Sequence, residues 1–267
     1  MYYTRMRVAF VACLSIACLV ANESVSASTF RVSPVRLDVG AFAKSGILTV
    51  QNDSSDNTVV IQAKTVQWTQ RDGQDVTQPT DELIVNPPIF TLKPGAQQVV
   101  RVGARDPKLT QNVSSERAYR LVLVEIPRTP SEDFRGINVA LNISVPIFFA
   151  GTATTIDGVP PQINASRSGD GKITFDLINR GSTSLKILKV ALLDRVTQQP
   201  VAEINEWRYA LANSFSALAF KPLPTIDYTL SILTDRGVYA LDINNATPAT
   251  RPPLSSAISD AKTREKN

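Results

Sequence analysis

Apolar and polar positions alternate with a two-residue period along most of this sequence. The clearest runs are rich in Val, Ile and aromatic residues and span 47–51, 59–68, 97–102, 119–126 and 137–149. This period is typical of half-buried β-strands, and β-branched and aromatic side chains favour a pleated sheet. No segment keeps a 3.6-residue apolar period long enough to predict a helix. The pattern therefore predicts an all-β fold.

Turn-forming residues separate these runs. Gly, Pro, Asn and Asp cluster at 52–57, 71–73, 86–88 and 93–95, where such residues favour tight turns. About seven short strands in about 120 residues is the count of an immunoglobulin-like sandwich.

A break in the alternation divides the chain. Residues 150–161 are rich in Ala, Gly, Thr and Pro, and alternation resumes at 172–178, 185–193, 227–233 and 237–243. The length alone allows one large domain or two smaller ones. The break favours two, spanning 28–150 and 151–245. From residue 246 the composition turns to Ala, Thr, Pro and Ser, which predicts a disordered tail over 246–267.

The N-terminal residues have the features of a secretory signal peptide. Arg5 and Arg7 precede an uncharged apolar run over 8–21, and Val25 and Ala27 occupy the −3 and −1 positions of a signal-peptidase site. We predict export and cleavage after Ala27, so that the mature chain does not insert into a membrane. An uncleaved anchor is the alternative, but the run is shorter than the roughly 20 residues of a spanning helix.

Composition removes most catalytic chemistries. The sequence contains no His, and its two Cys residues, Cys13 and Cys18, lie in the predicted signal. The mature chain therefore lacks a thiol nucleophile, a Ser-His-Asp arrangement and almost every kind of zinc site. We predict no enzyme, no cofactor and no metal. The remaining enzyme class is a glycosidase with two carboxylates about 5–10 Å apart, for which the sequence offers no convincing pair.

Charge does not point to a nucleic-acid partner. The formal net charge is +4, and no block of Lys and Arg of the kind that nucleic-acid binders carry is present.

The predicted strand over 137–149 is unusual because it is strongly apolar on one face only. That face presents five branched aliphatic side chains, Ile137, Val139, Leu141, Ile143 and Val145. The other face carries Asn138, Ala140, Asn142 and Ser144. Such a row is either an ordinary core-facing strand or a strand that contributes to a partner's core. A charged, Pro-containing stretch over 128–136 precedes it and is predicted to be a loop.

The order of short motifs resembles a known family. The motifs are FRVSPVRL at 30–37, NPPIFTLKPG at 86–95, VVRV at 99–102, ERAYRL at 116–121 and EIP at 125–127. With the alternating strand that follows, they resemble the periplasmic chaperones of pili and fimbriae in the chaperone–usher pathway. The chain looks more similar to the archaic branch of that family than to its best-known members.

This resemblance implies a boomerang of two immunoglobulin-like β-sandwich domains that acts in the periplasm without a cofactor. The partners it implies are pilus subunits that lack their last strand, and an outer-membrane usher. The chaperone would complete each subunit with Ile137, Val139, Leu141 and Ile143, in what is called donor-strand complementation. A non-catalytic fimbrial structural or adhesive module is the alternative, although such subunits usually have one domain and a disulfide.

The resemblance also implies a basic anchor for the subunit's C-terminal carboxylate. Arg36 falls where the family places its cleft arginine, in the predicted first strand. The lysine that well-known members carry aligns with Pro146, which cannot replace it. Arg120 is the predicted substitute because it interrupts an apolar run on the neighbouring strand, and Arg101 is a weaker candidate.

Overall fold

The structure is a computed structural model that describes residues 30–111, 113–127, 139–152, 160–167, 171–221, 223 and 227–243. Within these residues the helical structure is limited to one 3-10 turn, Pro107–Thr110. The N-terminal strands are β1 (Phe30–Ser33), β2 (Leu37–Val39), β3 (Ser45–Asn52), β4 (Val59–Arg71), β5 (Gln74–Pro79), β6 (Leu83–Asn86), β7 (Ile89–Leu92), β8 (Gln97–Ala104), β9 (Arg117–Glu125) and β10 (Asn142–Phe149). The C-terminal strands are β11 (Gln162–Arg167), β12 (Ile173–Asn179), β13 (Leu185–Asp194), β14 (Pro200–Ile204), β15 (Arg208–Ala210), β16 (Ser214–Phe220), β17 (Tyr228–Thr234) and β18 (Gly237–Ile243).

The first ten strands form a sandwich of two sheets. One sheet has the order β1-β3-β8-β6, and the other has the order β2-β10-β9-β4-β5 with β7 paired to β4. Inward-facing side chains of both sheets share one hydrophobic core, and its most deeply buried members include Leu48, Val50, Val100, Val102, Ile61, Leu121, Leu123 and Ile147. Complete burial of each such side chain contributes about 1.5–3 kcal/mol, so the core needs no disulfide to hold it.

The first strand of this sandwich is divided between the two sheets. β1 pairs antiparallel with β3, and the chain then passes through a cis Ser33–Pro34 peptide bond. β2 joins the other sheet, where Leu37–Val39 runs parallel to Ile147–Phe149 of β10. β2 therefore covers only the C-terminal end of β10.

The remaining eight strands form a second sandwich. Its sheets have the orders β11-β12-β16 and β14-β13-β17-β18, with β15 paired to β13. A separate core cluster lies between them and includes Ile173, Phe175, Leu177, Ile187, Leu192, Leu230 and Ile232. The predicted all-β fold with two immunoglobulin-like domains is confirmed. The exact boundary between them stays a prediction, because residues 153–159 lie outside the described part of the chain.

The sequence pattern underestimated the number of strands. Ten strands form the first sandwich instead of about seven. The segments without alternation escaped prediction, among them β5, whose side chains are all exposed or half-buried. The predicted strand over 137–149 begins at Asn142 among the described residues. The loop predicted over 128–136, the signal peptide and the tail lie outside those residues.

Candidate functional site

The apolar row that continues into β10 is buried at its C-terminal end and becomes more exposed toward its N-terminal end. At the C-terminal end Ile147 and Val145 are 0% and 2% exposed. Leu141 and Ile143 are half-buried and pack against that core without being enclosed by it. Val139 lies just before the strand and is 57% exposed. Ile137, the first residue of the predicted donor row, lies outside the described residues.

One edge of β10 is only partly paired. β9 pairs with the whole of Asn142–Phe149 on one side, whereas β2 reaches only the last three residues on the other side. Among the described residues, no strand lies along the second edge from Asn142 to Pro146. Backbone groups on such an edge are available to pair with another strand.

The outer face of the same sheet carries an aromatic cluster that joins the two sandwiches. We define it as Trp68, Phe148 and Tyr209. The Trp68 and Phe148 ring centroids are 5.9 Å apart, and Tyr209 of the second sandwich lies 5.4 Å from Trp68 and 5.5 Å from Phe148. Leu211 also packs there, so this face is buried between the two sandwiches. Aromatic pairs in such geometry contribute about 0.5–1.5 kcal/mol beyond their buried area.

Arg36 lies at one end of the aromatic cluster. Its guanidinium carbon is 4.5 Å from the centroid of the Phe148 ring. The residue stands in the turn before β2 and not in the first strand as predicted. Its Nε and Nη2 already donate to the Asp38 carboxylate over 2.7–2.9 Å, and Asp235 Oδ2 lies 3.9 Å from Nη1. A carboxylate ligand would therefore meet an arginine that has carboxylate neighbours.

Arg120 lies at the other end of the cluster. Its guanidinium carbon is 3.8 Å from the Trp68 ring centroid, and its Nη2 donates to Asp75 over 3.1 Å. In the register of β9 with β10, Arg120 is directly opposite Pro146. The structure thus places Arg120 next to the position where the family lysine was expected.

The two arginines predicted as anchors share the same outer face, whereas the weaker candidate does not. Arg36 and Arg120 contact the same aromatic cluster from opposite ends. Arg101 belongs to β8 in the other sheet, where its Nη1 donates to Ser45 Oγ over 2.9 Å. Arg101 therefore cannot join the same site.

Polar contacts around the cluster hold the second sandwich against the first. The Gln70 side chain donates to Tyr209 O (2.7 Å) and accepts from Leu211 N (3.0 Å). The Glu116 N–H donates to Ser182 O over 2.8 Å, and its carboxylate accepts from Ser184 N. Burial raises the pKa of the Glu116 carboxyl, against the opposing effects of the Ser184 hydrogen bonds and the Arg36 charge.

These interdomain residues were not found by sequence reasoning. Gln70 belongs to none of the motifs, and Glu116 begins the ERAYRL motif, but nothing in the sequence marked either side chain as an interdomain contact. A weak signal was available for Trp68, because it shares the outer face of β4 with polar residues.

Candidate metal sites and membrane-spanning helices were sought among the described residues, and none was found. No group of three or more Asp, Glu, His or Cys side chains among them is placed to hold a metal ion. None of their helical segments has the length and apolarity needed to cross a bilayer.

Comparison with known families identifies the class of protein. Residues 29–154 match the family model for the pili and flagellar-assembly chaperone, PapD N-terminal domain. Residues 29–154 therefore place the N-terminal domain in the family of fimbrial periplasmic chaperones, which is a non-catalytic family. No curated protein matches the chain significantly.

Solved structures show the same fold over the length of both domains. A chain of the CsuC–CsuE chaperone–tip adhesion subunit pre-assembly complex, from archaic Csu pili of Acinetobacter baumannii, has a TM-score of 0.58 and 20% identity and covers 81% of this chain and 98% of that one. The Salmonella enterica SafA pilin–SafB chaperone complex follows at 0.56 and 14%, covering 82% and 99%. The Escherichia coli chaperone DraB has a TM-score of 0.53 and 16% identity and covers 81% and 96%. The first of these comes from an archaic pilus system, and at 20% identity it shows the shared fold; the likeness to the archaic branch stays a prediction.

Proposed function

We propose that this chain is a periplasmic chaperone that binds pilus subunits by donor-strand complementation and delivers them to an outer-membrane usher. The observation that carries the proposal is the gradient of burial along one face of β10. An ordinary core strand would be buried throughout, whereas here Val139 is 57% exposed at the end nearest the open edge. The row therefore has apolar surface to contribute to a second core.

Backbone and side chains of this strand would act together. A subunit strand placed along the open edge of β10 would form main-chain hydrogen bonds, and the alternate side chains would enter the subunit's groove. Ile137, Val139, Leu141 and Ile143 are the side chains proposed to do so. Each aliphatic side chain contributes about 1.5–3 kcal/mol when fully buried. Leu141 and Ile143 would gain less than Val139, because their own core already covers part of their surface.

The carboxylate anchor is proposed at Arg36 and Arg120. Each guanidinium lies over an aromatic ring and donates to a carboxylate, and these contacts restrict its position before a ligand arrives. An arginine fork matches a carboxylate with two parallel, charge-assisted hydrogen bonds. Asp38 already accepts from one fork of Arg36, so an incoming carboxylate would bind the remaining N–H groups or replace Asp38.

Location in the periplasm follows from the family, and the predicted signal over 1–27 supplies a route to it. Delivery to the usher rests on the resemblance alone.

The test is co-expression with a pilus subunit and recovery of a one-to-one periplasmic complex. Val139→Asp should abolish the complex without loss of chaperone stability, because this side chain is mostly exposed. Asn142→Asp is the matched control, since Asn142 is exposed on the opposite face of the strand, and it should leave the complex intact. Recovery of the complex with Val139→Asp at native yield would refute the mechanism.

Changing both Leu141 and Ile143 to Asp, the direct test that the sequence suggests, is less clean. Both side chains pack against the chaperone's own core, so the double variant should lose stability as well as the complex. It serves as a second variant whose folding must be measured alongside.

A further inference from the structure

A carboxylate lies on the core face of the first sandwich, at the point where the apolar row leaves that core. Along β9, Leu121, Leu123 and Glu125 point inward in succession. The first two are completely buried, as the core requires, and Glu125 is 7% exposed. A carboxylate in such a position needs hydrogen-bond donors, because burial without them is costly.

The donor is the backbone of the apolar row. Leu141 N donates to Glu125 Oε2 over 3.1 Å, and Glu125 N donates back to Leu141 O over 2.9 Å. The register of Val124 with Asn142 places these two residues directly opposite each other at the next step. The carboxylate oxygen accepts the bond that the main-chain oxygen of Glu125 would accept in a regular ladder. Among the described residues, the strand assignment ends here, since residues 139–141 are not part of β10.

An aliphatic residue at this position would have a different consequence. It would extend the core that Leu121 and Leu123 begin, and would cover the side chains of Leu141 and Val139 within the chaperone's own sandwich. The Glu125 carboxylate instead accepts a hydrogen bond from the backbone of Leu141, and it gives the Leu141 side chain no additional apolar surface to pack against.

We propose that Glu125 is a positioning residue that ends the chaperone's own core at Leu141 and so keeps the remaining apolar row available to a partner. This inference rests on the proposed function. It adds the residue at which the apolar row divides into two parts. We call the part buried in the chaperone's own core the retained end, and the part available to a subunit the lent end.

The first measurement needs only the free protein. Amide hydrogen exchange of Leu141, followed by nuclear magnetic resonance, should become about fivefold faster in Glu125→Leu, the factor expected for one hydrogen bond of ordinary net strength. Glu125→Gln should show a smaller change, since its amide oxygen still accepts. Glu203→Leu, the same change on β14 of the second sandwich, is the matched control and should leave Leu141 exchange unaltered. Unchanged exchange in Glu125→Leu would overturn the proposed contact.

The second measurement compares stability with subunit capture. Glu125→Leu should leave the melting temperature nearly unchanged, because burial of an apolar side chain offsets the lost hydrogen bond, and should nevertheless lower the yield of the subunit complex. Glu125→Gln should restore most of that yield. A variant that loses melting temperature and yield together would assign Glu125 a structural role only and would overturn the proposal.

The Val139→Asp variant separates this proposal from the function on which it rests. If Val139→Asp prevents capture while Glu125→Leu captures normally, the positioning role is wrong and the donor strand stands. If both variants capture normally, the donor-strand function itself is wrong, and capture no longer supports a role for Glu125.

Discussion

The two ends of β10 belong to one strand and one apolar face, yet their environments differ. At the C-terminal end, Val145 and Ile147 are enclosed by the first sandwich, and β2 closes the edge of the strand. Before the N-terminal end, Val139 is mostly exposed, and among the described residues no strand pairs with this edge from Asn142 to Pro146. The same pattern of side chains thus serves the protein's own stability at one end and an open surface at the other.

The opposite face of the strand repeats this division. At the retained end, Phe148 joins the aromatic cluster that connects the two sandwiches, and Pro146 lies opposite Arg120. At the lent end, Asn142 and Ser144 are exposed. The retained end therefore has a second role, which is to support a charged site between the domains. The charged groups and the exposed apolar area therefore lie at different ends of one strand, where the proposed function would use them separately.

The largest effect is expected from a charge at the retained end. Ile147→Asp should cost about 4 kcal/mol or more, because it places an unpaired carboxylate in a closed core, whereas Val139→Asp at the lent end should stay within about 0.5 kcal/mol of the native stability. Urea unfolding of both variants measures the contrast. Similar losses of stability for the two variants would show that both ends belong equally to the chaperone's own core.

An intermediate effect is expected at the arginines of the cleft. Arg36→Ala and Arg120→Ala should each weaken subunit binding by about 1.5–3 kcal/mol, the range for hydrogen bonds to charged groups. A subunit extended by one residue beyond its C-terminus should lose a comparable amount against the native chaperone. When an arginine variant is combined with the extended subunit, the total loss of binding free energy should be smaller than the sum of the two separate losses. Full additivity would show that the arginines do not bind the subunit's carboxylate.

The smallest effect concerns the contact between domains at the retained end. Burial raises the pKa of Glu116 above its ordinary value of 4.5. The folded state therefore holds the proton at a pH where the unfolded state has released it, so this residue's contribution to stability falls as pH rises through that window. Relative to Glu116→Gln, the native protein should lose free energy of unfolding between pH 4.5 and the raised value. Urea unfolding of both proteins at several pH values would detect this loss. A difference in free energy of unfolding between them that is constant with pH would contradict the prediction.

Much of the fold could be predicted from the sequence, because long strands show a clear alternation of apolar and polar residues. Gly237–Ile243 was predicted to the residue, and β13 and β17 to within one residue at either end. Several strands escaped prediction for different reasons. Gln74–Pro79 is polar and is held by pairing with a neighbour, so its hydrophobic pattern is weak. Ile89–Leu92 is too short to show a period, and Ser214–Phe220 has buried residues on both faces and therefore lacks a clear alternation.

The candidate site was predicted in part. The aliphatic row was found because its period is visible in the sequence, but its division at Leu141 was not. Arg120 was chosen for interrupting an apolar run, and the structure places it opposite Pro146. The carboxylates that accompany the arginines were missed for different reasons. Asp75 is 45 residues from Arg120 in the sequence, and only the sheet brings the two together. Asp38 is two residues from Arg36, so it was visible in the sequence, but nothing in the pattern marked it as a partner of that arginine.

By itself, the sequence determined which side chains share a face of each strand, since side-chain direction alternates with a period of two and needs no tertiary contact to specify it. It thereby predicts that the alternate aliphatic residues from 137 to 145 form one apolar row. Only the tertiary structure decided where along that row burial stops, because burial depends on what the opposite sheet covers. The sandwich covers Val145 and leaves Val139 exposed. Between them a single carboxylate, Glu125, holds the backbone of Leu141.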